Sequence, residues 1–134
     1  MQIRAEGDVV LHFEKDYPWG PDDPAVAGLR VRASGPFVQV DVQVVLLQGE
    51  GPSSFLRSLY EDFRGWDGER TWSPHGGGLQ ITATHTGWVQ LAWALSHVVL
   101  GEPVWSFQAT SQHAAGEDMR RLAEVFDETL DWPA

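Results

Sequence analysis

The chain has no cysteine, no asparagine and a single lysine, Lys15. Nor does it contain an apolar run near the ~18 residues that a membrane-spanning helix needs. Without cysteine there is no disulfide framework, no thiol nucleophile, no iron–sulfur cluster and no cysteine-held zinc. One lysine, and no Gly-Lys-Ser/Thr ending after Gly49-Glu50-Gly51, argue against a phosphate-cradling loop. The start, Met1-Gln2-Ile3-Arg4-Ala5-Glu6, lacks the apolar centre of a signal peptide, so a cytoplasmic location is expected.

What is present is ample for a core. The 134 residues are 43% hydrophobic, with seven tryptophans. A chain of this length is expected to form one domain over residues 1–134 and to bury about two-thirds of its extended surface. Nineteen acidic residues against nine basic ones leave a formal charge of −10. Such a chain repels nucleic-acid phosphates and anionic lipid and attracts basic proteins.

Period-two alternation marks the strands. Val9, Leu11 and Phe13 form the first. Ala27, Leu29, Val31 and Ala33 form the second, after a proline-rich loop from Tyr17 to Pro24. Val38, Val40, Val42, Val44 and Leu46 form the third. The period then changes to that of a helix, with Phe55, Leu56, Leu59, Tyr60 and Phe63 on one stripe and Gly65 as its cap. Arg57 and Glu61 are spaced to pair on its outer side. Four short strands follow, centred on Thr71, Ile81, Trp93 and Phe107. Met119, Leu122, Ala123, Phe126 and Leu130 then step by three and four in a final helix. The expectation is an α+β fold in the order βββ-α-ββββ-α, a mostly antiparallel sheet of six or seven strands with two helices on one face. No internal repeat is visible.

Sequence motifs for chemistry are sparse. His75-Gly76-Gly77-Gly78 has the look of a hydrolase oxyanion loop, but there is no Gly-x-Ser-x-Gly nucleophile elbow, so it reads as a glycine turn between strands. His12, His75, His85, His97 and His113 include no pair at a metal-pincer spacing, so no metal and no cofactor is expected. Asp22-Asp23, Glu61-Asp62 and Glu117-Asp118 are adjacent pairs, which point apart on a helix or strand and make no acid–base dyad. Trp93, Trp105 and Phe107 fall on apolar strand faces and read as core. Trp19, Trp88 and Trp132 do not, and exposed tryptophan is a frequent binding anchor.

The segment Asp62-Phe63-Arg64-Gly65-Trp66-Asp67-Gly68-Glu69-Arg70-Thr71-Trp72 resembles a family of uncharacterised single-domain proteins from actinobacteria. So do the strand end Ala83-Thr84-His85 and the helix start Gly116-Glu117-Asp118-Met119-Arg120-Arg121-Leu122-Ala123. In element order and size the chain is more distantly similar to the WapI-type immunity proteins, small cytoplasmic proteins that neutralise a cognate toxin. That resemblance implies a protein-binding role and carries over no catalytic residue. On this reading Glu117, Glu124, Asp127, Glu128 and Asp131 attract a basic protein such as a toxin, and Trp19 or Trp88 anchors it. Two other readings stand beside it. One is a small-molecule binder or enzyme on the sheet face, with His85 or His97 as its titrating group. The other is a homodimer formed through an uncovered sheet face or edge strand.

Overall fold

The computed structural model describes residues 1–23 and 25–131; Trp132 lies outside them. Strands β1 (Gln2–Ala5), β2 (Val9–Asp16), β3 (Val26–Gly35) and β4 (Val38–Leu47) form an antiparallel sheet in that order. Helix α1 (Ser53–Glu61) follows. Strands β5 (Arg70–Trp72), β6 (Leu79–His85), β7 (Val89–Val99) and β8 (Glu102–His113) form a second antiparallel sheet, again in chain order, and helix α2 (Glu117–Leu130) ends it. The chain thus runs twice through a ββββα unit, a repetition of topology without a visible repeat of residues.

This corrects the expectation of one sheet of six or seven strands. There are two sheets of four. Alternation tells which face of a strand is buried; it does not tell which sheet the strand joins. The strand missing from the sequence reading is β1, whose four residues bury only Ile3 and so show no period. It is held by the tight turn at residues 6–8, where Gly7 and Asp8 take positive φ, and by the Phe13 amide donating to the Met1 carbonyl at 2.8 Å.

The two sheets bury their apolar faces in one core. Leu11, Phe13, Leu29, Val31, Val44 and Leu46 come from the first, and Leu79, Ile81, Leu91, Trp93 and Leu95 from the second. Leu56 and Leu59 of α1, and Met119, Ala123, Phe126 and Leu130 of α2, complete it. At its centre the ring of Phe13 lies 5.3 Å from Trp93 and 5.2 Å from Phe126, near edge-on in the second case. Along the seams, β1 runs close to β8 and β4 close to β7.

Several local expectations change. Helix α1 stops at Glu61, so Phe63 falls outside it and stands exposed. Arg57 reaches Asp127 on the neighbouring α2 in place of Glu61, because the two helices pack side by side. Trp93 is fully buried as expected, but Trp105 is exposed and stacks on His97 with centroids 6.2 Å apart. Both sit where the β7–β8 hairpin has run past the body of the core.

Candidate functional site

The β7–β8 hairpin ends in a two-residue turn, Leu100-Gly101, with φ of +53° and +80°. This is the conformation that asparagine-glycine favours, because both central residues must be left-handed. A leucine there is strained by its Cβ. Leu100 is also 100% exposed, so no burial offsets that strain. Around it Val99, Val104 and Trp105 are exposed as well. A strained, fully exposed leucine in an apolar tip has no role in holding this fold together, and such outliers gather at functional positions.

Beside the tip runs the glycine segment of residues 76–78. It does not join strands as a free turn. Gly78 passes between β4 and β7, where an added Cβ would sit 3.5 Å from Val44 and 3.8 Å from the Ser96 carbonyl. The Gly78 carbonyl accepts from the Ser96 amide at 3.0 Å, extending the β6–β7 ladder by one rung within the second sheet. Gly77 and Gly78 both take positive φ, so side chains are opposed on conformational grounds, although a Cβ would meet only ordinary contact distances. A trough lies on each flank of this segment. One, of about 660 Å³, is bounded by Asp16, Arg30, Asp41 and Gln43 of the first sheet and by His97 and Leu100. The other, of about 710 Å³, lies on the outer face of the second sheet, among Ser73, His75, Gln80, Ser96 and Ser106.

The outer faces of the two sheets differ in kind. On the first, charges are paired within the chain. Arg30 donates to both oxygens of Asp41 at 2.9 and 2.7 Å, Arg32 bridges to Glu14 at 3.2 Å, and Gln43 donates to Asp16 at 2.6 Å. These contacts hold the Asp41 carboxyl below its ordinary range, the hydrogen bond from Arg30 being the largest cause. On the second sheet the register aligns uncharged rows. Thr84, Gln90 and Gln112 form one; Thr71, Thr82, Ala92 and Thr110 the next; Gln80, Ala94 and Gln108 a third; Ser96 and Ser106 the last.

The acidic residues singled out on α2 are largely occupied. Arg120 pairs with both Glu117 and Glu124, and Arg57 pairs with Asp127. Among the described residues, Glu128 and Asp131 have no such ion pair, and the Asp131 carbonyl accepts from Lys15 at 3.3 Å. Trp19 and Trp88 are 68% and 53% exposed, as an anchor must be. They do not share a surface. Trp88 lies in the turn before β7, whose 11 residues separate it from the hairpin tip by roughly 35 Å. Asp16, three residues before Trp19, lines the same trough as Leu100.

The histidines do not converge, and among the described residues no three His, Asp or Glu side chains form a metal-holding group. His85 packs over Gly65 and against the Trp66 ring at 5.2 Å, while His97 lies exposed on Trp105. One polar chain escaped sequence reasoning. The Trp93 indole N–H donates to Ser111 Oγ at 2.8 Å, and Ser111 Oγ lies 2.7 Å from His113 Nε2. Ser111 Oγ accepts from the indole and the residue is buried, so burial keeps this hydroxyl from reaching a ligand. Burial pushes the His113 pKa below its ordinary value, against the opposing field of Asp118. The only signal in the sequence was a serine and a histidine on the apolar side of β8.

No curated protein and no solved structure matches the chain. Residues 2–133 match the profile of the family of unknown function DUF6228, and the protein belongs to that family.

Proposed function

We propose that this protein is a non-catalytic binding domain that engages a basic protein, and that it acts as an immunity protein by covering the working cleft of a cognate toxin. The observation that carries this reading is the β7–β8 tip, where Leu100 is held left-handed and fully exposed beside Val104 and Trp105. Tryptophan is enriched at binding hot spots, and Trp105 with its exposed aliphatic neighbours offers an apolar anchor of that kind. The formal charge of −10 supports a basic partner, since charge of opposite sign steers encounter and raises the association rate. The pairing of Glu117, Glu124 and Asp127 with arginines moves the energetic centre from α2 to the hairpin. The acids act as a long-range field, and the apolar tip supplies the contact.

The test is co-expression with each large protein encoded beside this chain's gene, taken as a candidate toxin. Growth rescue by the wild-type chain, with loss of rescue in Leu100→Asp and Trp105→Ala, is the expected result. Rescue that survives both substitutions, or no binding of the purified chain to any of these proteins, overturns the reading.

A further inference from the structure

We infer that the outer face of the β5–β8 sheet, with the trough at its hairpin end, is a binding surface for an uncharged glycan. This goes beyond the protein-binding reading and rests on different residues. In a chain carrying −10, the rows of this face hold no charge at all. Among the described residues, none of their hydroxyl or amide side chains makes a hydrogen bond within the chain. The equivalent face of the first sheet carries charge: Arg30, Arg32, Glu14 and Asp41 are paired to one another there, and Gln43 to Asp16. Polar groups that are aligned, unpaired and neutral are free to bond to something outside the molecule.

The chemistry of those groups selects the ligand. Gln, Ser and Thr side chains each donate and accept, as sugar hydroxyls do. Taking uncharged amides and hydroxyls out of water costs far less than taking out carboxylates, provided the ligand satisfies their hydrogen bonds. An anionic glycan or a nucleic acid finds no cation here and meets the repulsion of the whole chain. At the hairpin end Gln80, Ser96 and Ser106 line the trough of about 710 Å³, within the usual range for ligand sites of about 300–1,000 Å³. Its wall is the glycine segment of residues 76–78, whose Gly77 amide and Gly78 carbonyl are bonded within the chain, so recognition falls to the side chains. A second copy of this chain is the other occupant to weigh. It would bring its own −10 to the contact.

The experiment is a set of amide-resolved NMR titrations of the full chain with cellohexaose, maltohexaose and chitohexaose, with a heparin hexasaccharide as the charged control. Shifts at the side-chain amides of Gln80, Gln90 and Gln108 with at least one neutral oligosaccharide, and none with heparin, are expected. Gln108→Glu combined with Ser106→Glu should weaken that binding about tenfold or more, with the urea midpoint unchanged. Three outcomes overturn the inference: no shift on this face with any neutral oligosaccharide at about 5 mM, shifts confined to Trp19 or Trp88, or the same amides shifting on dilution of the protein alone while it sediments as a dimer. None of these bears on growth rescue through Leu100, so the two proposals fail separately.

Discussion

Trp93 Nε1 donates to Ser111 Oγ at 2.8 Å across the β7–β8 pair, and the same oxygen lies 2.7 Å from His113 Nε2. Burial favours the neutral form of the His113 ring in this arrangement. Protonation would place a charge on a ring partly withdrawn from water, which burial opposes.

Stability should therefore fall in mildly acid solution. The folded-state pKa of His113 is depressed from its ordinary value of 6.5, so the unfolded chain binds the proton first as pH drops. The contribution is fully present above about pH 6.5 and declines below it, down through the folded-state pKa. Carboxylates such as Asp41 and Glu117, whose pKa values are lowered by arginine partners, act in a separate window below their ordinary 3.8 and 4.5. Urea midpoints measured from pH 8 to pH 5 should decline in the wild type and flatten in His113→Gln. Equal slopes in the two proteins would refute the assignment.

Removing Trp93 or Phe13 should loosen both sheets together. Their rings meet at the centre of the common core, and each is fully buried. Phe13→Ala or Trp93→Ala is expected to cost about 3–5 kcal/mol. Fluorescence and far-ultraviolet circular dichroism should report one coincident urea transition for Phe13→Ala; two separated transitions would mean that the sheets are held independently.

Gly65 separates two costs of adding a methyl group. It has φ of +120°, and a Cβ there would lie 3.0 Å from the His85 ring. Gly68 also has positive φ, +73°, but nothing lies within 4 Å of its position. Gly68→Ala should cost about 1 kcal/mol from conformation alone. Gly65→Ala should cost more, roughly 2–3 kcal/mol, because strain and collision add. Thermal melts of the two variants rank them; the reverse order would show that His85 moves aside freely.

The hairpin tip should show a trade of stability against binding. Asparagine is at ease in the left-handed conformation that strains Leu100. Leu100→Asn is expected to raise stability by about 1 kcal/mol and, on the proposed function, to weaken binding of the basic partner in calorimetry. A variant that is both more stable and equally tight would remove the tip from the interface.

Much of the secondary structure could be read directly from side-chain order. The alternation of Val9, Leu11 and Phe13, and of Val89, Leu91, Trp93 and Leu95, marks strands and their buried faces, because the pleat sends successive side chains to opposite sides. The stepping of Met119, Ala123, Phe126 and Leu130 does the same for α2. Trp19 and Trp88 fitted no apolar face in the sequence, and the fold leaves both exposed. Other features were decided only in three dimensions. Two sheets replaced one because a period of two is blind to a strand's neighbours. Arg57 chose Asp127 over Glu61 because α2 lies alongside α1. Trp105, apolar by alternation, is exposed because β7 and β8 outrun the core that would have covered it. The neutral rows of the second sheet exist only through register, which sets residues such as Gln90 and Gln112 side by side although 22 positions part them. Local order dictates what each segment prefers to bury; which segments meet, and what they leave uncovered, depends on packing between parts of the chain that sequence distance does not connect.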